Sequence, residues 1–158
     1  MKAITLWQPW ASLVAIGAKR IETRSWHTSH RGRLAIHAAA QMPRSAKMLL
    51  DPGFTFHRNP FLEALSAGGY PNAGWRDGRR LYDNLPIGCI IATCDLTGCW
   101  KIETPLNRFD ISDQERAFGD YTPNRYMWIL DDIERILPPI PAKGNRRLWD
   151  WEEEYETE

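Results

Sequence analysis

The run Gly88-Cys89-Ile90-Ile91-Ala92-Thr93-Cys94 constrains the fold more than any other part of the chain. It is apolar and rich in β-branched residues, and it follows the turn Leu85-Pro86-Ile87-Gly88. Gly88 to Thr97 therefore reads as a buried strand. Shorter strands are expected at Lys2–Trp7, Lys19–Arg24 and Arg33–His37, and a long one is expected to begin at Tyr126–Leu130 and to end at Pro138, Pro139 and Pro141. Gln8-Pro9 breaks the first strand, and a helix of one or two turns is expected from Trp10 to Ile16, stopped by Gly17. Ser45–Leu50, a turn at Phe61–Leu65, and Ser112–Phe118 with its Ser112/Glu115 capping box are the other helical candidates. A tight turn at Gly32 is expected to make the second and third strands neighbours. Few helices and several non-local strands point to an α+β domain, a small mixed barrel with two or three short helices.

A length of 158 residues suits one domain, and 43% hydrophobic content can fill a core. The expected organisation is a single domain over residues 1–149, with an insertion or long loop at 40–84 and an acidic tail at 150–158. The absence of a long apolar run implies no membrane span and no secretory signal. Cys89, Cys94 and Cys99 are odd in number and form no CxxC pair, so they read as small buried residues of a reduced, cytoplasmic protein. No metal and no cofactor is expected.

The net charge of zero conceals an asymmetry. Asp150 to Glu158 hold six carboxylates and no basic residue, which leaves 20 basic against 14 acidic residues before them. Residues 19–37 carry Lys19, Arg20, Arg24, Arg31 and Arg33 against Glu22 alone, with His27, His30 and His37. Such a cluster can neutralise phosphates, or it can be a solvated face balanced by the tail. Trp7, Trp10 and Trp26 flank it, and aromatic residues interleaved with arginine are one way to stack unpaired bases.

Three segments carry a family resemblance. They are Trp7-Gln8-Pro9-Trp10-Ala11-Ser12, the run Gly17-Ala18-Lys19-Arg20-Ile21-Glu22-Thr23-Arg24-Ser25-Trp26, and Arg31-Gly32-Arg33-Leu34-Ala35-Ile36-His37-Ala38. With Leu85–Ala92, Tyr126–Leu130 and Pro141-Ala142-Lys143-Gly144 they resemble the ASCH (activating signal cointegrator homology) family. The resemblance implies a PUA-like β-barrel, a cleft beside the Lys19 motif, and a nucleic-acid or nucleoside role. One branch of that family hydrolyses N4-acetylcytidine with a lysine, a threonine three residues later and a more distant glutamate; another member is a ribonuclease. Here Glu22 stands in the threonine position, and a carboxylate cannot replace a hydroxyl nucleophile. Thr23 is adjacent but, on a strand, faces the other way.

The candidate binding set is Trp7, Gln8, Trp10, Lys19, Arg24, Ser25, Trp26 and Lys143. The expected partner is RNA, single-stranded DNA or a nucleotide. Lys19 either acts as a base in a cleft or holds a phosphate. Glu22 pairs with Lys19 or Arg24, or accepts from the amino group of cytosine or adenine. Gln8 reads a base edge or caps the short helix, and Trp26 stacks a base or fills the barrel end. Arg24 and Ser25 could hold a phosphate. His37 reads as a satisfied core or edge residue. If the protein is an enzyme, an amidohydrolase or a metal-independent ribonuclease, Lys19 and Glu22 are its catalytic candidates. Glu115 or Asp120 could then enter as a further carboxylate.

Overall fold

The computed structural model describes residues 1–51, 58–70, 75–76, 79–103 and 110–152. Six strands form one sheet in the order β2-β7-β6-β3-β1-β8, and a two-stranded pair β4-β5 lies apart from it. In chain order these are β1 (Lys2–Leu6), β2 (Ile21–Arg24), β3 (Gly32–Ala38), β4 (Trp75–Arg76), β5 (Arg79–Arg80), β6 (Cys89–Lys101), β7 (Tyr126–Pro141) and β8 (Leu148–Asp150). The described residues also form α1 (Trp10–Ala15), α2 (Arg44–Leu49), α3 (Pro60–Ala67) and α4 (Asp113–Phe118), with a 3-10 turn at Leu81–Asn84.

The apolar run that opened the sequence argument lies in β6, near the middle of the sheet, between β3 and β7. Residues 89–94 are all buried, including the free thiols of Cys89 and Cys94. Burial pushes the Cys94 thiol up to about 12, so it stays protonated. The β6–β7 register shifts at three places, between Ile90/Ala92, Thr93/Asp95 and Leu96/Gly98. Each shift strengthens the local twist, and together they curl the sheet into a half-barrel. Arg24 at one end of the sheet donates to the Thr5 carbonyl of β1 at 3.0 Å, so the two ends face each other across a gap.

Three expectations are corrected. β2 does not neighbour β3; it pairs with β7, Ile21 opposite Ile129 and Arg24 opposite Tyr126. Both edges of β3 are already taken, by β1 in parallel and by β6. Pro138 and Pro139 do not end β7, which runs on past them and ends at Pro141, opposite Cys89. Pro138 and Pro139 fall where the ladder skips from Ile140 to Arg135, so no partner there needs an N–H from them. The chain then returns as β8, a strand that the sequence reading did not anticipate, against β1. Asp150 pairs with Lys2 at 2.8 Å and Trp151 is buried, so these two residues belong to the folded body. Residues 153–158 of the acidic tail lie outside the described residues, as do 52–57, 71–74 and 77–78 of the expected insertion.

The described part of residues 40–84 packs as a second core. Leu50, Phe61 and Leu65 meet Leu13 of α1 and Phe118 of α4. Asn59 caps α3 by accepting from the Phe61 and Leu62 N–H groups at 3.0 and 3.2 Å. The Phe118 ring is 2% exposed and lies 5.0 Å from Phe61. Phe118→Ala should therefore destabilise the protein by about 3–5 kcal/mol, read from the urea midpoint. A shift no larger than that of a surface substitution would mean that α4 stands outside the cooperative unit.

Candidate nucleic-acid interface

The gap between the sheet ends is a cleft of about 470 Å³. β1 and the residue after it supply Ile4, Thr5, Leu6 and Trp7; α1 supplies Trp10; β2 supplies Glu22 and Arg24; the β7–β8 connection supplies Asn145, Arg146 and Arg147. Trp7 follows the last β1 residue and is 58% exposed, a large aromatic surface left in water. Period-two alternation turns Glu22 and Arg24 to the cleft and buries Thr23, whose hydroxyl accepts from the Asp120 N–H at 3.0 Å.

Lys19 is 1% exposed and lies in the wall behind the cleft. Its approach to Glu22 depends on Gly17, whose φ of +77° reverses the chain after α1. The N–H groups of Ala18 and Lys19 then both donate to the Leu13 carbonyl at 3.0 Å. The Lys19 amine donates to the Ile21 carbonyl and sits 3.6 Å from a Glu22 carboxylate oxygen. The other Glu22 oxygen is 3.4 Å from Arg24 Nε. A cation, an anion and a cation thus run in line from the interior to the cleft, and each burial of charge is offset by its neighbour.

Glu115 does not enter the cleft. Ser112 accepts from the Glu115 N–H at 3.1 Å, but the Glu115 side chain leaves the capping box and accepts from the Arg20 N–H instead. It ties α4 to the backbone that carries Lys19. Burial raises its pKa, while the bonds from Arg20 and Ile21 and the Lys19 charge oppose the rise. Burial also raises the Tyr121 hydroxyl, with Glu115 and Glu22 adding to the shift. The Asp120 carboxylate pairs with Thr122 and Arg125, outside the cleft lining.

Several sequence candidates lie outside the cleft lining. Gln8 is fully buried; its amide accepts from the Ser12 N–H at 3.0 Å and donates to the Ser12 hydroxyl at 2.8 Å and the Pro86 carbonyl at 2.7 Å. It holds the helix start, which leaves no group to read a base. Trp26 is outside the cleft lining, edge-on to the buried Trp128 at 4.7 Å, and the Arg147 guanidinium lies 4.9 Å over its ring. Trp26 therefore positions an arginine of the cleft. Ser25 and Lys143 are exposed and outside the lining. The His27 ring lies edge-on to Tyr126, and His30 bonds the Arg33 carbonyl. Among the described residues no group of three or more His, Cys, Asp or Glu could hold a metal ion, and no helix is long and apolar enough to cross a membrane.

Sequence reasoning missed Arg146 and Arg147, which enter through a loop that His37 anchors. His37 Nε2 bonds the Ala142 carbonyl at 2.9 Å, and burial lowers the ring's pKa, so it stays neutral. A Cβ on Gly144 would come within 2.4 Å of that ring and 2.9 Å of the Thr5 hydroxyl. The glycine after Lys143 is what allows the loop to press this close. Arg147 itself has φ +57°, unusual for a residue with a side chain, and it carries the guanidinium to Trp26.

A curled six-stranded half-barrel with a basic, tryptophan-edged cleft at its open seam defines the class of protein. The model of the ASCH domain matches residues 4–140, and the chain belongs to that family. It is 29% identical over 147 residues to human activating signal cointegrator 1, covering 92% of this chain and 21% of that protein. The mouse counterpart is 28% identical over the same length. The chain thus spans about a fifth of the length of the curated relatives it matches. Among solved structures it is similar to the ASCH protein of Zymomonas mobilis, with TM-score 0.50 and 16% identity, over 97% of this chain and 87% of that one. At that identity the likeness shows the fold.

The buried charge pair gives a direct test. Lys19→Met removes one ion and leaves Glu22 only Arg24, which should cost about 3 kcal/mol of stability. Lys19→Met with Glu22→Gln leaves no unpaired anion and should recover part of that loss. Urea denaturation of both variants measures it; a double variant as unstable as the sum of its singles would show that the two side chains are uncoupled.

Proposed function

We propose that this domain binds single-stranded RNA or DNA, with one base in the cleft and the backbone along Arg24, Arg146 and Arg147. The observation that carries the reading is Trp7, 58% exposed at the mouth of a cleft that also holds three arginines. An exposed indole costs little in the free protein and offers a face to any base, while arginines bind phosphates through a planar fork. A cleft of about 470 Å³ is in the range that encloses a small ligand. The family resemblance, with its nucleic-acid role, supports the same reading. Lys19, Gln8 and Trp26 serve as positioning residues. Three buried free cysteines suit a reducing compartment such as the cytoplasm.

Trp7→Ala should weaken binding of a short single-stranded oligonucleotide by about ten-fold or more. Its stability should stay within about 0.5 kcal/mol of wild type, because little packing is lost. Arg147→Gln should lower the salt dependence of log K by about 0.7, the value for one phosphate contact on a single strand. Fluorescence anisotropy across a salt series reads both effects. No affinity at low salt for any RNA or DNA would overturn the reading. Turnover of single-stranded RNA or N4-acylated cytidine that Glu22→Gln abolishes would favour a hydrolase in its place.

A further inference from the structure

The Glu22 carboxylate lines the cleft, and its side chain is 13% exposed. Its two cationic neighbours hold it in place without using its acceptors. Lys19 Nζ is 3.6 Å away, beyond hydrogen-bonding distance, and spends a donor on the Ile21 carbonyl. Arg24 Nε is 3.4 Å away but makes no hydrogen bond, and Nη2 of the same guanidinium donates to Thr5 O. Among the described residues, no donor meets the Glu22 oxygens in hydrogen-bonding geometry. Each oxygen is ion-paired to one cation, Oε2 to Lys19 and Oε1 to Arg24, and with no hydrogen bond to either, each keeps acceptor capacity in a carboxylate that lines the cleft.

An ionised carboxylate only accepts, and its two oxygens match two parallel N–H groups. The Watson–Crick edge of guanine presents such a pair, N1–H beside the N2 amino group. Adenine and cytosine each set one amino group beside an acceptor nitrogen, which a carboxylate repels. Uracil sets one N–H between two carbonyls. Bases in single strands are read on these edges because they are unpaired. We propose that Glu22 makes the cleft selective for guanine, accepting from N1–H and N2–H while Trp7 covers the face of the ring. The proposal rests on the base-binding reading above and adds the identity of the base.

The test uses the full chain and fluorescent oligouridine RNAs that differ at one central position, guanine, inosine, adenine, cytosine or uracil. Guanine should bind about ten-fold more tightly than adenine or cytosine, the discrimination expected of one bidentate base contact. Inosine keeps N1–H and lacks the amino group, so it should fall between them. The inosine comparison needs no variant, so it holds even if substitution at Glu22 unfolds the protein. Glu22→Gln, with its fold checked by circular dichroism, offers one acceptor and one donor and should bring the five RNAs to similar affinities. Equal binding of all five by wild type, or an unchanged guanine preference in Glu22→Gln, would overturn the selectivity while the binding reading stands. Failure of all five to bind, even at low salt, would overturn both.

Discussion

The pairing of β6 with β7 is the constraint on which the rest of the structure depends. These are the two longest strands, and three register shifts in their ladder keep the sheet from lying flat. Curling brings β2, at one end of the order, opposite β1, near the other end. The seam is left open and bridged by Arg24 on the Thr5 carbonyl. A closed ladder would leave no cleft at this place, and a flat sheet would set the two walls far apart.

Electrostatics at the seam follow from burial. Lys19 cannot be withdrawn from water without an acceptor and an anion, and the turn at Gly17 provides both by folding it onto Ile21 and Glu22. The geometry gives Lys19 a structural task and leaves Glu22 to face the cleft. Neutral His37 plays a matching part on the other wall, since its bond to Ala142 holds down the loop that delivers Arg146 and Arg147. Glu22 and the loop of Arg146 and Arg147 are thus each held by a buried polar group, Lys19 and His37.

Much of the fold was legible because it is local. The buried strand at Cys89, the helix after Pro9, the Gly17 stop and the Ser112 cap all lie in short windows whose chemistry decides their conformation. The β2 alternation also held, with Glu22 and Arg24 on one face and Thr23 on the other. Strand neighbours were not legible: Gly32 does open β3, but β3 had no edge left for β2. Within the site, Trp7, Trp10, Glu22 and Arg24 come together as cleft residues. Gln8, Lys19 and Trp26 share the same motif yet point inward, because a motif specifies which residues are near one another and not which of them water reaches.

The sequence by itself determined most of the helices and the longer strands, the basic and aromatic character of the N-terminal segment, and the family to which the chain belongs. Hydrophobic period, turn chemistry and residue type are properties of neighbouring residues, so no tertiary contact is needed to read them. Only the tertiary structure decided that Arg146 and Arg147 complete the cleft, that Trp26 supports an arginine, and that Glu22 lines the cleft between Lys19 and Arg24. Those facts depend on the curl of a long strand pair and on a loop pressed against His37 through Gly144. Both are contacts between residues distant in the chain, and no local pattern encodes their distances.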